Sequence, residues 1–240
     1  MKFFWLGHSA FRIEFGDTVL IIDPFLNGNK CFADSQYAGD LAKATEGCTH
    51  VAITHGHNDH VGDALKIIEN TGATLIANPE ICQYLSGKAT KDIKTCAGNS
   101  GGTVDLGEFT LTFVQAVHSS SYTEADGTIV YLGNPNGFII NAKGATIYHM
   151  GDTDIFGDME LINRLYHPNI GIVPIGDVYT MGAQNAAFAV KKYFNFEMVI
   201  PCHYKTFPVL EQSADKFVNA MKESSTKVVV CEVGEKLKIG

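Results

Sequence analysis

The sequence predicts an α/β protein, a four-layer αββα sandwich in which two mixed β-sheets carry helices on their outer faces. Three observations lead there. Short apolar runs broken by turn signals alternate with amphipathic stripes of helical period in both halves of the chain. Dense polar clusters follow several of the strand-like runs directly. No internal repeat or low-complexity segment suggests another architecture, and strands interleaved with helices in both halves fit two sheets covered from outside.

The opening stretch reads as a strand meander: Phe3 to Leu6, Phe11 to Phe15 and Val19 to Ile22, separated by Gly7-His8-Ser9 and Gly16-Asp17. Val51 to Thr54 is the next strand, and His55 opens the first polar cluster at its C-terminal end. Directly after that cluster Val61, Ala64, Leu65 and Ile68 recur at i, i+3, i+4 and i+7, the stripe of an amphipathic helix that Asn70 and Gly72 can end. Ala73 to Ala77 reads as a strand, and Pro79 opens a short helix through Leu85. From Thr103 to Val117 the pattern is β again and closes on His118-Ser119-Ser120-Ser121.

Phe138 to Asn141 and Ala145 to His149, around Lys143-Gly144, read as a hairpin that delivers Gly151-Asp152-Thr153-Asp154. Ile170 to Pro174 is a strand, followed by a loop from Gly176 to Gly182 and a helix with Ala183, Ala186, Ala187, Val190 and Phe194 on one face. Strand Met198 to Ile200 runs into Pro201-Cys202-His203-Tyr204. A helix with Ala214, Phe217, Val218 and Met221 on one stripe, and two strands near Val228 and Leu237, complete the chain.

A chain of 240 residues can bury one large core, so a single domain over residues 1–240 is expected. The net charge of −8 repels polyanions and argues against a nucleic-acid partner. A small anionic substrate stays compatible with it, because bound cations would add positive charge locally. The six cysteines are scattered without a C-x-x-C pair, which predicts reduced, mostly buried thiols. Lys2 to Leu6 is interrupted by Gly7, His8, Arg12 and Glu14 before a signal-peptide core is reached, and no segment approaches a membrane span. A cytoplasmic protein with no membrane partner is the expectation.

The segment Thr54-His55-Gly56-His57-Asn58-Asp59-His60 places three imidazoles and a carboxylate within six positions. Residues two apart on an extended loop point the same way, so His55 and His57 can reach one cation. Asp59 and His60 then turn toward a second position at the start of the following helix. Imidazole nitrogen and carboxylate oxygen are donors that zinc accepts at about 2.0–2.2 Å. A lone surface histidine is usually solvated, but four donors at this spacing between a strand and an amphipathic helix form a specific metal signal.

Together with Asp23 after a strand, His118, Gly151-Asp152-Thr153 and His203, this segment resembles the five-motif pattern of the metallo-β-lactamase superfamily, in the same order. The likeness runs from Gly7-His8-Ser9 to Glu232-Val233-Gly234. More narrowly, Ile175-Gly176-Asp177 and Thr180-Met181-Gly182 resemble phrases of the prokaryotic metal-dependent hydrolases related to ascorbate-6-phosphate lactonases. The resemblance implies the metallo-β-lactamase fold and two divalent ions, zinc by default, with manganese, nickel and iron as the other candidates. His55, His57 and His118 would hold one ion and Asp59, His60 and His203 the other, with Asp152 bridging them. Asp59 and Asp152 are the expected catalytic carboxylates. The implied reaction is hydrolysis of an ester-like bond, a lactone, thioester or phosphodiester, in a small molecule by hydroxide that the metal pair activates.

Several residues keep two readings. Asp23 resembles the aspartate that fixes imidazole orientation from behind the ligands, or is a turn residue before Pro24. His8 either approaches the site from the substrate side or is a solvated turn histidine. His149 reads as a half-buried strand histidine or as a residue behind the ligands. Tyr204 and Lys205 either meet an anionic group of the substrate or lie on an ordinary loop, and Phe207, Val209 and Leu210 leave room for a homo-oligomer surface. Ala183 and Asn185 depart from the proline and acidic residue usual in that subfamily, which removes a charge near the pocket mouth. Two rival functions remain: a mononuclear iron oxidoreductase or dioxygenase, since a di-iron version usually carries glutamate where His57 stands, and a metal-binding protein without turnover.

Overall fold

The computed structural model describes residues 1–142 and 144–238. Strands β1 (Lys2–Trp5), β2 (Phe11–Phe15) and β3 (Thr18–Ile22) form the antiparallel meander. Parallel to β3 then come β4 (His50–Ala52), β5 (Thr74–Ala77) and β6 (Thr95–Ala97). Helices α1 (Lys30–Ala33), α2 (Leu41–Ala44), α3 (Asn58–Val61), α4 (Ala64–Thr71) and α5 (Pro79–Lys88) fill the connections. The side chains of Asn29, Asp40 and Asn78 cap α1, α2 and α5 by accepting backbone N–H bonds. α1 and α2 are one turn long, too short to show a helical period in the sequence.

The single helix expected after the polar cluster is instead two, because Gly62 takes φ 40° and ψ −119° between α3 and α4. A Cβ there would lie 2.5 Å from the Pro24 carbonyl oxygen. The break lets the neighbouring Asp63 carboxylate accept the N–H groups of Leu26 at 3.0 Å and Asn27 at 2.8 Å. That contact holds the loop after Asp23 against the start of α4.

The expected β passage over 103–117 divides at a turn into β7 (Thr103–Asp105) and β8 (Phe109–Gln115). A separate two-stranded hairpin follows, β9 (Ser121–Thr123) with β10 (Ile129–Tyr131). Then come β11 (Asn136–Ala142), β12 (Ala145–His149), β13 (Ile170–Pro174), β14 (Met198–Cys202) and β15 (Lys227–Val228). Ala142 and Ala145 pair across the predicted hairpin turn; Lys143 itself lies outside the described residues. Helices α6 (Met159–Tyr166), α7 (Ala183–Tyr193) and α8 (Asp215–Ala220) belong to this half, while β16 (Lys236–Lys238) returns to pair with β1.

Among the described residues there are thus two seven-stranded mixed sheets, ordered β16-β1-β2-β3-β4-β5-β6 and β15-β14-β13-β12-β11-β8-β7. Strand side chains alternate between faces, and the core divides accordingly. Leu20 and Ile22, Ala52 and Ile76 face the second sheet, packing with Phe113, Phe138, Ile140 and Ile147. Their neighbours Ile21, Val51, Ile53, Leu75 and Ala77 face the other way, onto Ala64, Ile67 and Ile68 of α4 and Ile81 and Leu85 of α5. Ala186, Ala187 and Val190 of α7 and Phe217 of α8 cover the second sheet. The four-layer αββα order is the predicted one.

Strand direction then positions the chemistry. In the first sheet β1, β3 and β4 run the same way, and in the second β8, β12 and β14 do. Their C-terminal ends lead into His8, Asp23, His55, His118, Asp152 and His203 respectively. The open carboxyl end of parallel strands is where α/β proteins place their sites. Direct backbone bonds join the two sheets there, from His203 N–H to the His8 carbonyl at 3.0 Å and from Asn136 N–H to the Thr54 carbonyl at 3.0 Å.

Candidate metal centre

Side chains from both sheets converge within hydrogen-bond range of one another. His57 Nδ1 lies 3.0 Å from His55 Nε2 and 3.3 Å from His118 Nε2. Two donors each about 2.05 Å from a zinc ion at the tetrahedral angle lie about 3.3 Å apart, so these spacings suit a shared cation. One oxygen of Asp152, Oδ2, lies 3.0 Å from His203 Nε2, 3.2 Å from His60 Nε2, 3.7 Å from His118 Nε2 and 3.9 Å from His55 Nε2. It therefore stands between two groups of donors. Asp59 Oδ2 completes the far group at 4.0 Å from His203 Nε2 and 3.0 Å from His8 Nε2.

The donor set fits divalent ions on the structure's own terms. His60 Nε2 and Asp152 Oδ1 are buried and have no hydrogen-bond partner among the described residues, a state that buried polar atoms rarely tolerate without an ion or water. Three clusters of potential ligand atoms emerge: His55, His57 and His118; His55, His60 and Asp152; and His8, Asp59, His60 and His203. All seven sequence-predicted donors are in them, and His8 joins.

The imidazoles are oriented from outside. Thr54 donates its hydroxyl to Asp23 Oδ2 at 2.6 Å and so accepts His55 Nδ1–H at 3.0 Å, while His60 Nδ1–H is donated to the same Asp23 oxygen at 2.8 Å. Thr54 also donates its N–H to Asp23 Oδ1 at 2.8 Å. Asp23 is fully buried, and the simple turn reading does not describe it. His57 Nε2 lies 3.2 Å from Ser119 Oγ. Fixing the outer nitrogen in this way selects the tautomer whose inner nitrogen has a free lone pair.

Electrostatics follow from burial and from the crowd of imidazoles. Burial, aided by His60, holds His55 well below the ordinary imidazole range, and burial likewise lowers His57 and His118. His60 goes the other way: burial opposes its charge, but the Asp152 and Asp23 carboxylates prevail and raise it. Burial also works against ionised Asp152, yet His203 and His60 hold it well below the carboxylate range. For His8, burial and then His203 push the pKa down to about 4.

A pH prediction for the metal-free protein follows. The unfolded His8 imidazole, near 6.5, protonates before the folded one, so its contribution is complete above pH 6.5 and is lost as pH falls toward 4. That loss is roughly 3 kcal/mol. The lowered His55, His57 and His118 act in the same direction, and raised His60 acts against them. Urea midpoints of chelated protein are expected to fall between pH 7 and pH 4; a rising or level profile would contradict the assignment.

Local backbone geometry aims the donors. His8, Asp23 and His203 adopt left-handed φ of 55°, 45° and 56°, each costing about 1–3 kcal/mol. His203 further depends on Gly176, where a Cβ would sit 1.9 Å from the His203 carbonyl oxygen and 2.9 Å from its Nδ1. Gly176→Ala is therefore expected to displace His203 and lower affinity for a second metal ion by at least about tenfold. Isothermal titration with Zn²⁺ measures it, and unchanged two-site binding would refute the coupling.

Other expectations are corrected. His8 is not solvated but fully buried between Phe25 and Phe207. His149 is fully buried rather than half-buried, its Nδ1 accepting the Gly151 N–H at 3.1 Å, because the turn that presents Asp152 folds back over it. Tyr204 does not face the site; it is buried and stacked on Trp5 at 5.1 Å between centroids. Lys205 is exposed, and Leu210, expected on a partner surface, is buried while Val209 is exposed. Ala183 is buried in α7, and Asn185 is exposed in a cavity of about 280 Å³ beside Asp177, Glu211 and Lys216. The cysteines are free and, apart from half-buried Cys31 and Cys96, buried as expected. Among the described residues no helix is long and apolar enough to cross a membrane.

Sequence reasoning gave no role to Thr54, Ser119 or Thr206, whose hydroxyls contact His55, His57 and His8. Their only sequence signal is adjacency to a ligand or to a polar cluster.

An αββα sandwich with histidine and aspartate donors at the joined strand ends of its two sheets is the metallo-β-lactamase fold. The "Beta-lactamase superfamily domain" profile matches residues 2–203. A "UPF0173 metal-dependent hydrolase" of Methylocella silvestris is 52% identical over 235 residues, covering 98% of both chains. One of Agrobacterium fabrum is 48% identical over 238 residues, covering 99% of both. The solved structure of Igni18, described as a novel metallo hydrolase from Ignicoccus hospitalis, is 32% identical and superposes with a TM-score of 0.82 over 100% of this chain and 99% of that one. The chain belongs to the metallo-β-lactamase superfamily and, within it, to the family of these UPF0173 metal-dependent hydrolases.

Proposed function

We propose that the protein hydrolyses an ester-like bond, in a lactone, thioester or phosphodiester, of a small and compatibly anionic molecule, using two divalent ions. The observation that carries this reading is the position of Asp152 Oδ2, within 4 Å of imidazole nitrogens from both donor groups. In this reading His55, His57 and His118 would hold one ion, Asp59, His60 and His203 would hold the other, and Asp152 would contribute to both. When bound, such a pair lowers the pKa of a water to about 7 and polarises the attacked carbonyl or phosphoryl oxygen.

The chain's own contribution is orientation and access. Asp23 and Thr54 lock the buried imidazoles. The cluster reaches solvent through half-buried His57, Asp59 and His118, which supports substrate approach from that side. Asp59 has a 30% exposed side chain; burial works against its charge, but the His8 contact and His60 hold it below the ordinary carboxylate range. It would thus be an ionised donor to the second ion at the solvent face of the cluster. Zinc is the default metal for this nitrogen and carboxylate set.

Zinc-loaded protein is expected to turn over at least one member of a panel of lactones, thioesters and phosphodiesters. Asp59→Ala should lower that rate by about 10³-fold, roughly 4 kcal/mol of transition-state stabilisation. Full activity in the variant would refute the site. Iron in the purified protein with oxygen uptake in place of hydrolysis would favour the oxidoreductase reading, and metal binding without any turnover the non-catalytic one.

A further inference from the structure

We propose that His8 is itself a metal ligand, a donor to the second ion alongside Asp59, His60 and His203, beyond the seven donors that the superfamily pattern supplies. The inference rests on the two-ion reading above. Its basis is a repeated construction. At His55, the Thr54 hydroxyl gives its proton to an oxygen, so its Oγ1 can only accept the imidazole Nδ1–H, and Nε2 is left with a lone pair pointing at the cluster. His8 has the same arrangement: Thr206 donates its hydroxyl to the Tyr204 carbonyl at 3.2 Å, and His8 Nδ1 lies 3.1 Å from Thr206 Oγ1.

The lone pair of His8 Nε2 then faces Asp59 Oδ2 at 3.0 Å. Two acceptors at that distance repel unless a proton or a metal ion lies between them, and 3.0 Å matches the spacing of His55 Nε2 and His57 Nδ1 across the first group. The ligand atoms of His8, Asp59, His60 and His203 all lie within 4.8 Å of one another, a group that could gather around a metal ion.

The environment gives His8 little other purpose. Its side chain is fully buried, edge-on to Phe25 and Phe207 at 5.7 and 5.5 Å between ring centroids and tilted against His203 at 4.2 Å. Its left-handed backbone, φ 55°, is a conformation that glycine adopts far more readily. An imidazole held at that cost, beside another imidazole and a carboxylate, is built as a donor. With the bridging Asp152, the second ion would have five protein donors and the first four.

Cobalt titration of the metal-depleted full chain tests this, because the visible absorption of Co²⁺ reports its ligand field. His8→Gly suits the local backbone and removes the donor. The first Co²⁺ equivalent is expected to bind as in the wild type, and the second about 100-fold more weakly or worse, with altered visible bands; millimolar imidazole should restore both. Thr206→Val, which keeps His8 but removes its Nδ1–H acceptor together with the hydroxyl bond to the Tyr204 carbonyl, is expected to weaken the second equivalent by about tenfold, with His8 still bound. Circular dichroism of both variants checks that the fold is retained. Wild-type affinity and spectrum in His8→Gly would overturn the proposal, and so would weakened binding with unchanged bands, which would make His8 a positioning residue for Asp59. Wild-type protein that takes up no second equivalent would overturn the two-ion reading itself.

Discussion

Asp152→Ala is expected to abolish hydrolysis, by about 10³-fold or more, and to reduce bound metal from two equivalents per chain to at most one. Asp152 is the residue whose loss both halves of the site feel. Its Oδ2 is near nitrogens of His55, His60, His118 and His203, drawn from both sheets. It is also 2% exposed, so no water-exposed carboxylate can replace it without rebuilding the turn after β12. Removing it takes away the one carboxylate near all four of these imidazoles, and two cations there would repel without a shared anion. A rate loss of that size corresponds to roughly 4 kcal/mol of transition-state stabilisation. Steady-state kinetics and elemental analysis of the same preparation measure the two effects together. Near-wild-type turnover with two equivalents bound would remove Asp152 from the centre.

Chelation is expected to lower the melting temperature steeply as well as to silence the enzyme. A ligand that binds only the folded state at about 1,000 times its Kd stabilises by about 4 kcal/mol, so two ions held that tightly contribute about 8 kcal/mol. For a chain of this length 1 kcal/mol moves Tm by about 2–4 °C, which gives a fall of roughly 15–30 °C. The structure supplies the reason for tight binding, since His55, His60, Asp152 and His203 are all 2% exposed or less and pre-oriented. The metal-free chain must bury them against one another with orphaned atoms such as His60 Nε2 and Asp152 Oδ1. Calorimetric melts with and without EDTA, followed by Zn²⁺ restoration, measure the shift. An unchanged Tm would mean that the cluster does not hold ions in the folded state.

Much of this fold was legible because strand alternation in the core strands is clean: Leu20 and Ile22 against Ile21, or Ile76 against Leu75 and Ala77, sort to opposite layers as a period of two requires. Elements that escaped reading lack such a signal. α1 and α2 are one turn each, and α6 buries Met159 and Ile162 but leaves Leu161 and Leu165 50% and 70% exposed, which blurs its stripe. At the site, the dense run from His55 to His60 is visible in any reading, and His118, Asp152 and His203 stand out as polar residues after strands.

His8 is ambiguous in the sequence because a lone histidine in a glycine turn says nothing of the side chains above it; Phe25 and the return of the chain at residues 203–207 bury it. Thr54 and Thr206 act through hydroxyl rotamers and tertiary contact, which spacing does not encode. Tyr204 misled for the converse reason. Adjacency to His203 suggested the site, but at φ 56° the His203 backbone turns the next side chain away onto Trp5.

Anomalous diffraction from crystals of the zinc-loaded protein, collected above and below the zinc edge, tests the paired-ion claim most directly. Two peaks are expected, about 3.5–4 Å apart, with Asp152 between them, one beside His55, His57 and His118 and the other beside Asp59, His60 and His203. A single peak, or zinc bound only away from Asp152, would contradict the account.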